Sequence, residues 1–433
     1  MSRWWRAQLT VAATGLALRL AYVLIARRHA VLWGDAYYYH YQAQLLLQGR
    51  GFIVPFDLLH FHRVTAAADH PPMFTLLLAG IDLLGVRSFA AHRVAMAVVG
   101  TLSVVVVGLV GRQVGGDRVG LVAAGVAALD PSFWVNDGLV ESETLVILAT
   151  ALAVWAAYRF WERPGPSSAG VLGAACGLAA LVRAEMALVV VVVALPLVWF
   201  RHRGRAQPGM LRSAGALLAA ATVVVAPWVG RNMVAFDHPV YLSDGLDVTL
   251  TVANCDQSYH GDFMGYWWLP CATEHPPPVG WDESDQGRWY RAIAYRYMKA
   301  HPAQVPVVAA VRVGRVWNLY RPLQQTRLDL IEGRELWVSR LGLVWYYPVA
   351  AAAVAGGVIL RRRRTPVLPL GGLVVVVSAA VAVSYGNTRY RAAAEVAMAV
   401  LAAVAADAPV RRWRNEPAAV RAVGDHDLVG SPA

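Results

Sequence analysis

The chain has 433 residues, of which 57% are hydrophobic and only 15% are charged. This charged fraction lies far below that of an ordinary soluble domain, which argues against the soluble classes and indicates an integral membrane protein. The net charge of +11 does not point to a nucleic-acid partner, because the arginines cluster beside apolar segments, where membrane orientation and anionic lipid headgroups account for them.

Ten apolar segments have roughly the length of about 20 residues that a helix needs to cross a bilayer, although several are short. They lie near residues 7–26, 90–111, 119–136, 139–160, 168–182, 185–200, 211–228, 341–360, 366–384 and 392–408. The first segment lacks the small-residue cleavage site of a signal peptide, so we expect it to be retained. The sequence therefore predicts an all-α polytopic membrane protein with about ten spans.

A further apolar segment at 71–86, "PPMFTLLLAGIDLLGV", is ambiguous because it is short, opens with two prolines and contains Asp82. If it does not cross, six arginine clusters fall on one side of the membrane, which the positive-inside tendency makes the cytoplasmic side. These clusters are Arg3/Arg6, Arg112/Arg118, Arg159/Arg163, 201–205, 361–364 and 411–414. We therefore expect 71–86 to be a re-entrant or membrane-surface helix.

The same alternation of sides divides the chain into four parts. They are an N-terminal transmembrane module at 1–228 that includes the first external loop at 27–89, an extracytoplasmic loop region at 229–340, C-terminal transmembrane helices at 341–410 and a cytoplasmic tail at 411–433. We expect the tail to be disordered. The working surface is predicted to face the extracytoplasmic side of the plasma membrane.

Two of the three cysteines, Cys255 and Cys271, lie in the predicted extracytoplasmic loop region. If that region faces an oxidising compartment, the pair is a candidate disulfide. Two unpaired thiols are the alternative.

The first external loop contains "WGDAYYYHYQAQLLLQGRGF" at residues 33–52. Tyr38, Tyr41 and Leu45 follow Asp35 at spacings of three and four residues, which predicts an amphipathic helix on the membrane surface. Asp35 stands at the N-cap position of this helix, where its side chain would accept a backbone N–H hydrogen bond. On spacing alone, Asp35 is either a helix cap or a functional carboxylate.

Other acidic residues stand near the predicted outer ends of spans. Asp69 and His70 precede the double proline of "ADHPPMF", although an extended entry into a stiff turn explains them equally. Asp137, Glu141 and Glu143 of "NDGLVESETLVILA" stand at the mouth of a span. Carboxylates there are costly if they face lipid, so we expect them to point into the bundle or toward water. Hydrogen-bonded packing remains the alternative for Glu143.

Four arginines are predicted on the outer side, against the orientation bias: Arg183, Arg231, Arg389 and Arg391. A phosphate at the headgroup level is one reason for them, because guanidinium binds phosphate oxygens in a bidentate fork. Ordinary ion pairing with the outer carboxylates is the alternative.

Familiar catalytic motifs are missing from the sequence. It contains no G-x-S-x-G, H-E-x-x-H, C-x-x-C, Walker or dinucleotide-binding pattern, so hydrolase, zinc and nucleotide functions have no motif to support them. Aromatic faces beside polar groups suit a sugar. On the outer side a glycosyl donor is expected to be lipid-linked, because nucleotide sugars are cytoplasmic.

The chain resembles the GT-C fold glycosyltransferases that use polyprenyl-phosphate sugars, in particular the bacterial relatives of protein O-mannosyltransferases and of the aminoarabinose transferase that modifies lipid A. The resemblance runs from the first span to about residue 405 and depends on the order of seven elements. They are "GDAYYYHYQAQLLLQGRGF", "HPPMFTLLLAGIDLLG", "LVESETLVILATALAVWA", "GLAALVRAEMALVVVV", "APWVGRNMVAFDHPVYLS", "YRYMKAHPAQ" and "NTRYRAAAEVAMAVLA". The resemblance implies a GT-C type transmembrane bundle with an extracytoplasmic first-loop helix and a larger extracytoplasmic loop region.

The resemblance also implies a mechanism. In this family an acidic residue of the first external loop, often Asp followed by Glu, serves as catalytic base, and Asp35 aligns with it. Asp35 would take the proton of an acceptor hydroxyl in a direct displacement with inversion at the anomeric carbon. Arg389 and Arg391 of "TRYR", and then Arg231 of "PWVGRN", are the candidates that stabilise the leaving polyprenyl phosphate. Ala36 stands where many members have a second acid, which puts a metal between adjacent carboxylates in doubt.

Five further residues are expected to surround the site: Tyr38, His70, Glu141, Glu143 and Arg183. The segment 229–340 resembles the variable external part that covers the site in such enzymes and helps to choose the acceptor.

The expected partners are a polyprenyl-phosphate sugar donor, an extracytoplasmic protein, lipid or polysaccharide acceptor, and membrane lipids. The sequence identifies neither the sugar nor the acceptor, implies no certain cofactor and leaves a divalent cation open. Two other classes compete. A lipid or glycolipid transporter is disfavoured, because no internal repeat is visible and the charges gather at the outer mouths of the spans. A non-catalytic cell-envelope assembly protein of the same fold is the other, and replacing Asp35 would separate it from an enzyme.

Overall fold

The computed structural model describes residues 2–203 and 207–413. These residues form helices joined by turns and contain no β-sheet, only an isolated bridge between Ile53 and Ala66. The α-helices in chain order are α1 Arg3–Ala21, α2 Gly34–Leu47, α3 Pro55–Phe61, α4 Met73–Leu83, α5 Phe89–Gly115, α6 Asp117–Leu129, α7 Pro131–Trp134, α8 Glu143–Glu162, α9 Pro166–Val182, α10 Leu195–His202, α11 Gln207–Ala235, α12 Gly245–Ala253, α13 Asp256–Tyr259, α14 Pro270–Thr273, α15 Glu283–Ala300, α16 Val305–Val316, α17 Pro322–Leu328, α18 Leu336–Arg362, α19 Leu368–Val383 and α20 Ala392–Trp413. The last twenty residues of the predicted disordered tail, 414–433, lie outside the described part of the chain.

The described residues include seven helical stretches that are long and apolar enough to cross a membrane. They are Arg3–Ala26, Phe89–Gly115, Glu143–Glu162, Ala184–His202, Pro208–Ala235, Leu336–Arg362 and Thr388–Arg411. An eighth exists if α6 and Pro131–Gly138, which meet at a bend of 59°, count as one broken span. The two remaining predicted segments are the shorter apolar helices α9 and α19, of 17 and 16 residues. The chain is therefore a multi-pass membrane protein, and all ten predicted segments are helical.

The segment 71–86 forms α4, a helix of only 11 residues. At 1.5 Å per residue it is about 16 Å long, which is roughly half the thickness of the hydrocarbon core. Pro71 and Pro72 delay its start, since proline disfavours a helical conformation in the residue before it. As a helix, α4 is too short to cross.

The C-terminal helix α20 lies at the centre of the bundle, because 72% of the most apolar 18 residues of Thr388–Arg411 are buried inside the protein. Small residues let its neighbours approach closely. A Cβ added to Gly356 of α18, for example, would overlap the backbone carbonyl of Leu401 in α20. The turn that precedes α20 therefore lies at one end of this central helix.

Asp137, one of the acidic residues singled out from the sequence, is paired inside the bundle. Asp137 forms an ion pair of 2.9 Å with Arg19 of α1, and both side chains are fully buried. Arg19 also donates to the backbone carbonyls of Ala127 and Ala128 at the end of α6. This pair joins α1 to the end of α6 and the turn that follows α7.

The residues between α11 and α18, 236–335, form the polar region. This region packs over the turn between α19 and α20 through α16 and through Gly265, whose carbonyl accepts a hydrogen bond from the N–H of Gly386 at 2.8 Å. Arg312 of α16 donates to the carbonyl of Ala382 at the end of α19. A disulfide joins Cys255 to Cys271 within this region. The polar region is thus tied to the same end of the bundle as the turn before α20.

Candidate active site

Asp35 lies in the first turn of α2 but does not cap that helix. Trp33 is the N-cap residue, and no side chain accepts a hydrogen bond there. The carboxylate of Asp35 instead accepts a hydrogen bond from Nη2 of Arg389 at 2.5 Å. The N-cap prediction is therefore wrong, because a pair in which both partners are charged outweighs a backbone N–H donor.

Arg389 stands on the 3₁₀ turn Thr388–Arg391 just before α20, and its side chain is only 9% exposed. Four carboxylates surround its guanidinium. The distances are 2.5 Å from Nη2 to Asp35, 2.5 Å from Nε to Glu143, 3.5 Å from Nε to Glu141 and 3.2 Å from Nη1 to Glu332. The structure thus brings together Asp35, Glu141, Glu143 and Arg389, all of which the sequence analysis singled out.

Glu332, between α17 and α18, is the member of this cluster that the sequence analysis missed. It lies in "LDLIEGRELW", a polar stretch with neither a motif nor a clear periodicity. Its Oε1 accepts hydrogen bonds from the hydroxyl of Tyr266 at 3.0 Å, from Nε1 of Trp267 at 2.8 Å and from Nδ2 of Asn387 at 2.9 Å. Glu332 therefore links the polar region to Arg389.

Arg183 follows α9 directly and forms a second positive centre. Its Nε donates to Glu185 at 2.6 Å, its Nη1 pairs with Glu143, and its guanidinium lies over the ring of Tyr390 at 4.7 Å. Because Glu143 contacts both Arg183 and Arg389, the two arginines are held on either side of one buried carboxylate.

His70 stands just before α4 and faces the same group. Its Nε2 lies 3.2 Å from Asp69 and 3.8 Å from Asp35. The imidazole stacks on the ring of Tyr39 at 4.8 Å and meets the ring of Tyr38 edge-on at 5.0 Å. Both tyrosines are buried, and Tyr39 also lines the cavity described next.

A cavity of about 600 Å³ opens beside these residues. Its charged and ionisable lining residues are Asp35, Asp69, His70, Arg183, Glu185 and Arg389. Its wall also contains the aromatic residues Tyr39, Trp267, Tyr385 and Tyr390 and apolar side chains such as Leu188, Ala380 and Val383. A ligand that suits these walls has an anionic or polyhydroxylated head and an apolar extension.

The charge state of the acids follows from their surroundings. Burial by itself would raise the pKa of Asp35, but the charges of Arg389, His70 and Arg183 and the hydrogen bond from Arg389 outweigh it and lower that pKa to about 2. Burial raises the pKa of Glu141 well above its usual range, and the neighbouring carboxylates add to this effect although Arg389 opposes it. Near neutral pH the site therefore holds an ionised Asp35.

Two arginines from the sequence analysis do not line this cavity. Arg391 is buried, pairs with Glu395 at 2.6 Å and lies over the ring of Tyr346 at 4.1 Å. Arg231 donates to the backbone carbonyls of Ala67 at 2.8 Å and Phe52 at 2.7 Å. Arg391 is used in packing around α20, and Arg231 fastens the segment that precedes α4.

Within the described residues, no group of three or more His, Cys, Asp or Glu side chains is arranged to hold a metal ion. In the carboxylate cluster, the guanidinium of Arg389 lies between the acids.

Comparison with known proteins gives one family match. A model described as dolichyl-phosphate-mannose-protein mannosyltransferase matches residues 69–229, which is less than half of the chain. No curated protein matches.

Solved structures resemble the whole chain in fold. The oligosaccharyltransferase AglB from Archaeoglobus fulgidus, in complex with an inhibitory peptide and a dolichol-phosphate, is 13% identical with a TM-score of 0.55, and the match covers 96% of this chain and 52% of AglB. ArnT from Cupriavidus metallidurans, bound to undecaprenyl phosphate, is 16% identical with a TM-score of 0.41, and the match covers 94% of this chain and 78% of ArnT. The chain spans about half the length of the oligosaccharyltransferase, and at this identity the likeness shows the fold alone.

Proposed function

We propose that this chain, which has a GT-C fold of the type found in protein O-mannosyltransferases and the aminoarabinose transferase ArnT, is a membrane glycosyltransferase. It transfers a sugar from a polyprenyl-phosphate donor to an acceptor hydroxyl, with inversion and with Asp35 as general base. The family match and the fold support the reaction class. The observation that carries the proposal is the Asp35–Arg389 pair on the wall of the 600 Å³ cavity.

The reaction needs a base and a place for the leaving phosphate. The oxygen of the acceptor hydroxyl attacks the anomeric carbon as the bond from that carbon to the phosphate oxygen breaks, and its electron pair stays on the phosphate. The hydroxyl proton moves to Asp35, whose Oδ2 is held by Arg389 while Oδ1 lies on the side of His70. General-base catalysis of this kind requires the carboxylate to be ionised, which the low pKa of Asp35 ensures.

We assign Arg183 as the main residue that binds the leaving phosphate. Arg183 lines the cavity next to the apolar residues Val182 and Leu188, so a phosphate there can have its lipid chain along the bundle. A guanidinium can bind phosphate oxygens with two parallel hydrogen bonds. Arg183 pairs with two carboxylates, Glu143 and Glu185, whereas Arg389 is shared among four and contributes positive charge nearby.

We place the site on the extracytoplasmic side of the plasma membrane, because the arginine clusters at the other helix ends favour the cytoplasm. Arg118 and Arg411 stand at that opposite end, where Arg118 pairs with Asp407 at 3.0 Å. The acceptor would then be an extracytoplasmic protein, lipid or polysaccharide. In this arrangement the polar region covers the site and contributes Trp267 to its wall.

Transfer of radiolabelled sugar from a panel of polyprenyl-phosphate sugars, in membranes that contain the protein, tests the proposal. Wild type is compared with Asp35→Asn at matched protein level, and Asp237→Asn, an exposed acid of the polar region, is the control. We expect transfer by wild type and by the control from at least one donor, and loss with Asp35→Asn. Equal transfer by Asp35→Asn would remove Asp35 as the base, and absence of wild-type transfer from every donor would contradict the proposed reaction.

A further inference from the structure

Glu332 has no part in the proposed mechanism so far, yet both of its carboxylate oxygens accept hydrogen bonds. Its side chain is 7% exposed. Oε1 accepts the three hydrogen bonds from Tyr266, Trp267 and Asn387, and Oε2 accepts one from Nη1 of Arg389 at 3.2 Å. A buried carboxylate with so many donors is fixed in one orientation, because any rotation leaves several of them unpaired.

This orientation makes one continuous chain of hydrogen bonds between the cavity wall and Asp35. The indole N–H of Trp267 donates to Glu332, Nη1 of Arg389 donates to Glu332, and Nη2 of Arg389 donates to Asp35. Trp267 lines the cavity. It also lies within the segment that the disulfide between Cys255 and Cys271 closes. Trp267 is thereby connected to Asp35 through two side chains, those of Glu332 and Arg389.

Arg389 can act on Asp35 in two ways, and Glu332 bears on both. A guanidinium is a planar fork, so fixing Nη1 also fixes the direction of Nη2 and of the carboxylate that Nη2 holds. The same guanidinium suppresses the basicity of Asp35, as its low pKa shows. Each further carboxylate on Arg389 offsets part of its positive charge, and Glu332 does so from the Nη1 side, away from Asp35.

We propose that Glu332 is a positioning residue for the transfer reaction, which aims Arg389 so that Asp35 faces the acceptor hydroxyl and which keeps Arg389 from holding that carboxylate too tightly. The inference rests on the proposed function. No bond is made or broken at Glu332, since the acceptor proton moves only to Asp35. A sugar that contacts Trp267 is thereby coupled to the base through Glu332.

The test is Glu332→Gln in purified full-length protein, with the donor that wild type uses. The glutamine oxygen can still accept from Tyr266, Trp267 and Asn387, but its NH₂ group cannot accept from Arg389. We expect kcat to fall about 100-fold, as misplaced catalytic groups do, while the KM for the polyprenyl-phosphate sugar changes about twofold or less because Glu332 does not line the cavity. Glu332→Asp, which keeps the charge, should recover part of kcat.

Two comparisons make the test specific. Glu274→Gln removes an exposed acid of the same region and should keep wild-type kcat. Trp267→Phe keeps a ring in the cavity wall but removes the N–H that holds Glu332, so its kcat should fall by less than that of Glu332→Gln.

Three outcomes would overturn the inference. Unchanged kcat in Glu332→Gln would show that Arg389 does not need Glu332. A rise in KM alone would make Glu332 a residue for ligand affinity, and loss of kcat together with thermal stability in both Gln and Asp variants would make it a residue of the fold only. If wild type transfers no sugar, the proposed function fails as well, and this result is distinct from the other three.

Discussion

Nη2 of Arg389 donates a hydrogen bond to Oδ2 of Asp35 at 2.5 Å, although 354 residues separate them along the chain. The pair joins the first turn of α2 to the turn before α20. It brings residues that are far apart in the sequence into one candidate site. Because Arg389 also contacts Glu141, Glu143 and Glu332, it holds four parts of the chain at one point.

Replacing Arg389 should therefore affect activity and stability together. In Arg389→Gln the buried carboxylates lose their counter-charge, and removing one partner of a buried pair costs about 3–5 kcal/mol. Arg389→Lys keeps the charge but cannot donate in three directions in one plane. We expect Arg389→Lys to fold and to lose transfer about 100-fold. Thermal unfolding in detergent and steady-state transfer measure the two effects, and near-wild-type transfer by Arg389→Lys would contradict the role of the planar fork.

Arg183 and Arg231 should respond differently to the same change. Arg183→Gln removes a guanidinium from the cavity wall, so the KM for the donor should rise about tenfold to 100-fold, as for the loss of a charged hydrogen bond of about 1.5–3 kcal/mol. Arg231→Gln removes hydrogen bonds to the carbonyls of Ala67 and Phe52. It should lower thermal stability with little effect on the donor KM of the folded fraction. A larger rise in KM for Arg231→Gln than for Arg183→Gln would reverse our assignment of the phosphate.

The raised pKa of Asp244, in the polar region, should make the stability of the protein depend on pH. Burial, followed by the charges of Asp69, Asp247 and Asp282, raises the pKa of Asp244 to about 7. The folded state therefore binds this proton more tightly than the unfolded state, so its contribution to stability is present at pH 4 and is lost as the pH rises to about 7. Asp244→Asn should raise the melting temperature at pH 8 and have less effect at pH 5.

The comparison for Asp244 is Asp237→Asn, which removes an exposed acid seven residues earlier. Melting temperatures of wild type and both variants at the two pH values measure the effect. A gain for Asp244→Asn that is equal at pH 5 and pH 8 would mean that the carboxyl does not titrate between them.

Two adjacent glycines of α18 test the packing of the bundle. A Cβ on Gly356 would overlap the carbonyl of Leu401, whereas a Cβ on Gly357 meets no atom within 4 Å. Gly356→Ala should destabilise the protein by about 1–3 kcal/mol, as overpacking does. Gly357→Ala should be neutral or slightly stabilising, since alanine has the higher helix propensity by about 1 kcal/mol. Equal melting temperatures for the two variants would contradict the close contact of α18 with α20.

Much of the architecture could be predicted from the sequence, because the length of an apolar segment depends only on residues that are neighbours in the chain. All ten apolar segments are helical, and 71–86 forms a helix too short to cross, which agrees with the expectation drawn from the arginine clusters. Asp35 was singled out from its place beside a span and from the resemblance, and Arg389 from its position against the charge bias. Apolar length and the position of a charge beside a span can both be recognised from short stretches of sequence.

The tertiary structure decided which of the singled-out residues meet. Arg389 and Arg391 are two residues apart on a 3₁₀ turn, where each residue advances by about 120°, so one guanidinium faces the cavity and the other faces Glu395. Aspartate is a common helix-cap residue, but the carboxylate of Asp35 accepts a hydrogen bond from Arg389 instead. Glu332 carries no local pattern and is recognisable only once the polar region folds against the turn before α20. The sequence alone thus determined the helices and the pool of charged candidates, whereas pairing between charges far apart in the chain depends on direction and distance, which only the folded structure sets.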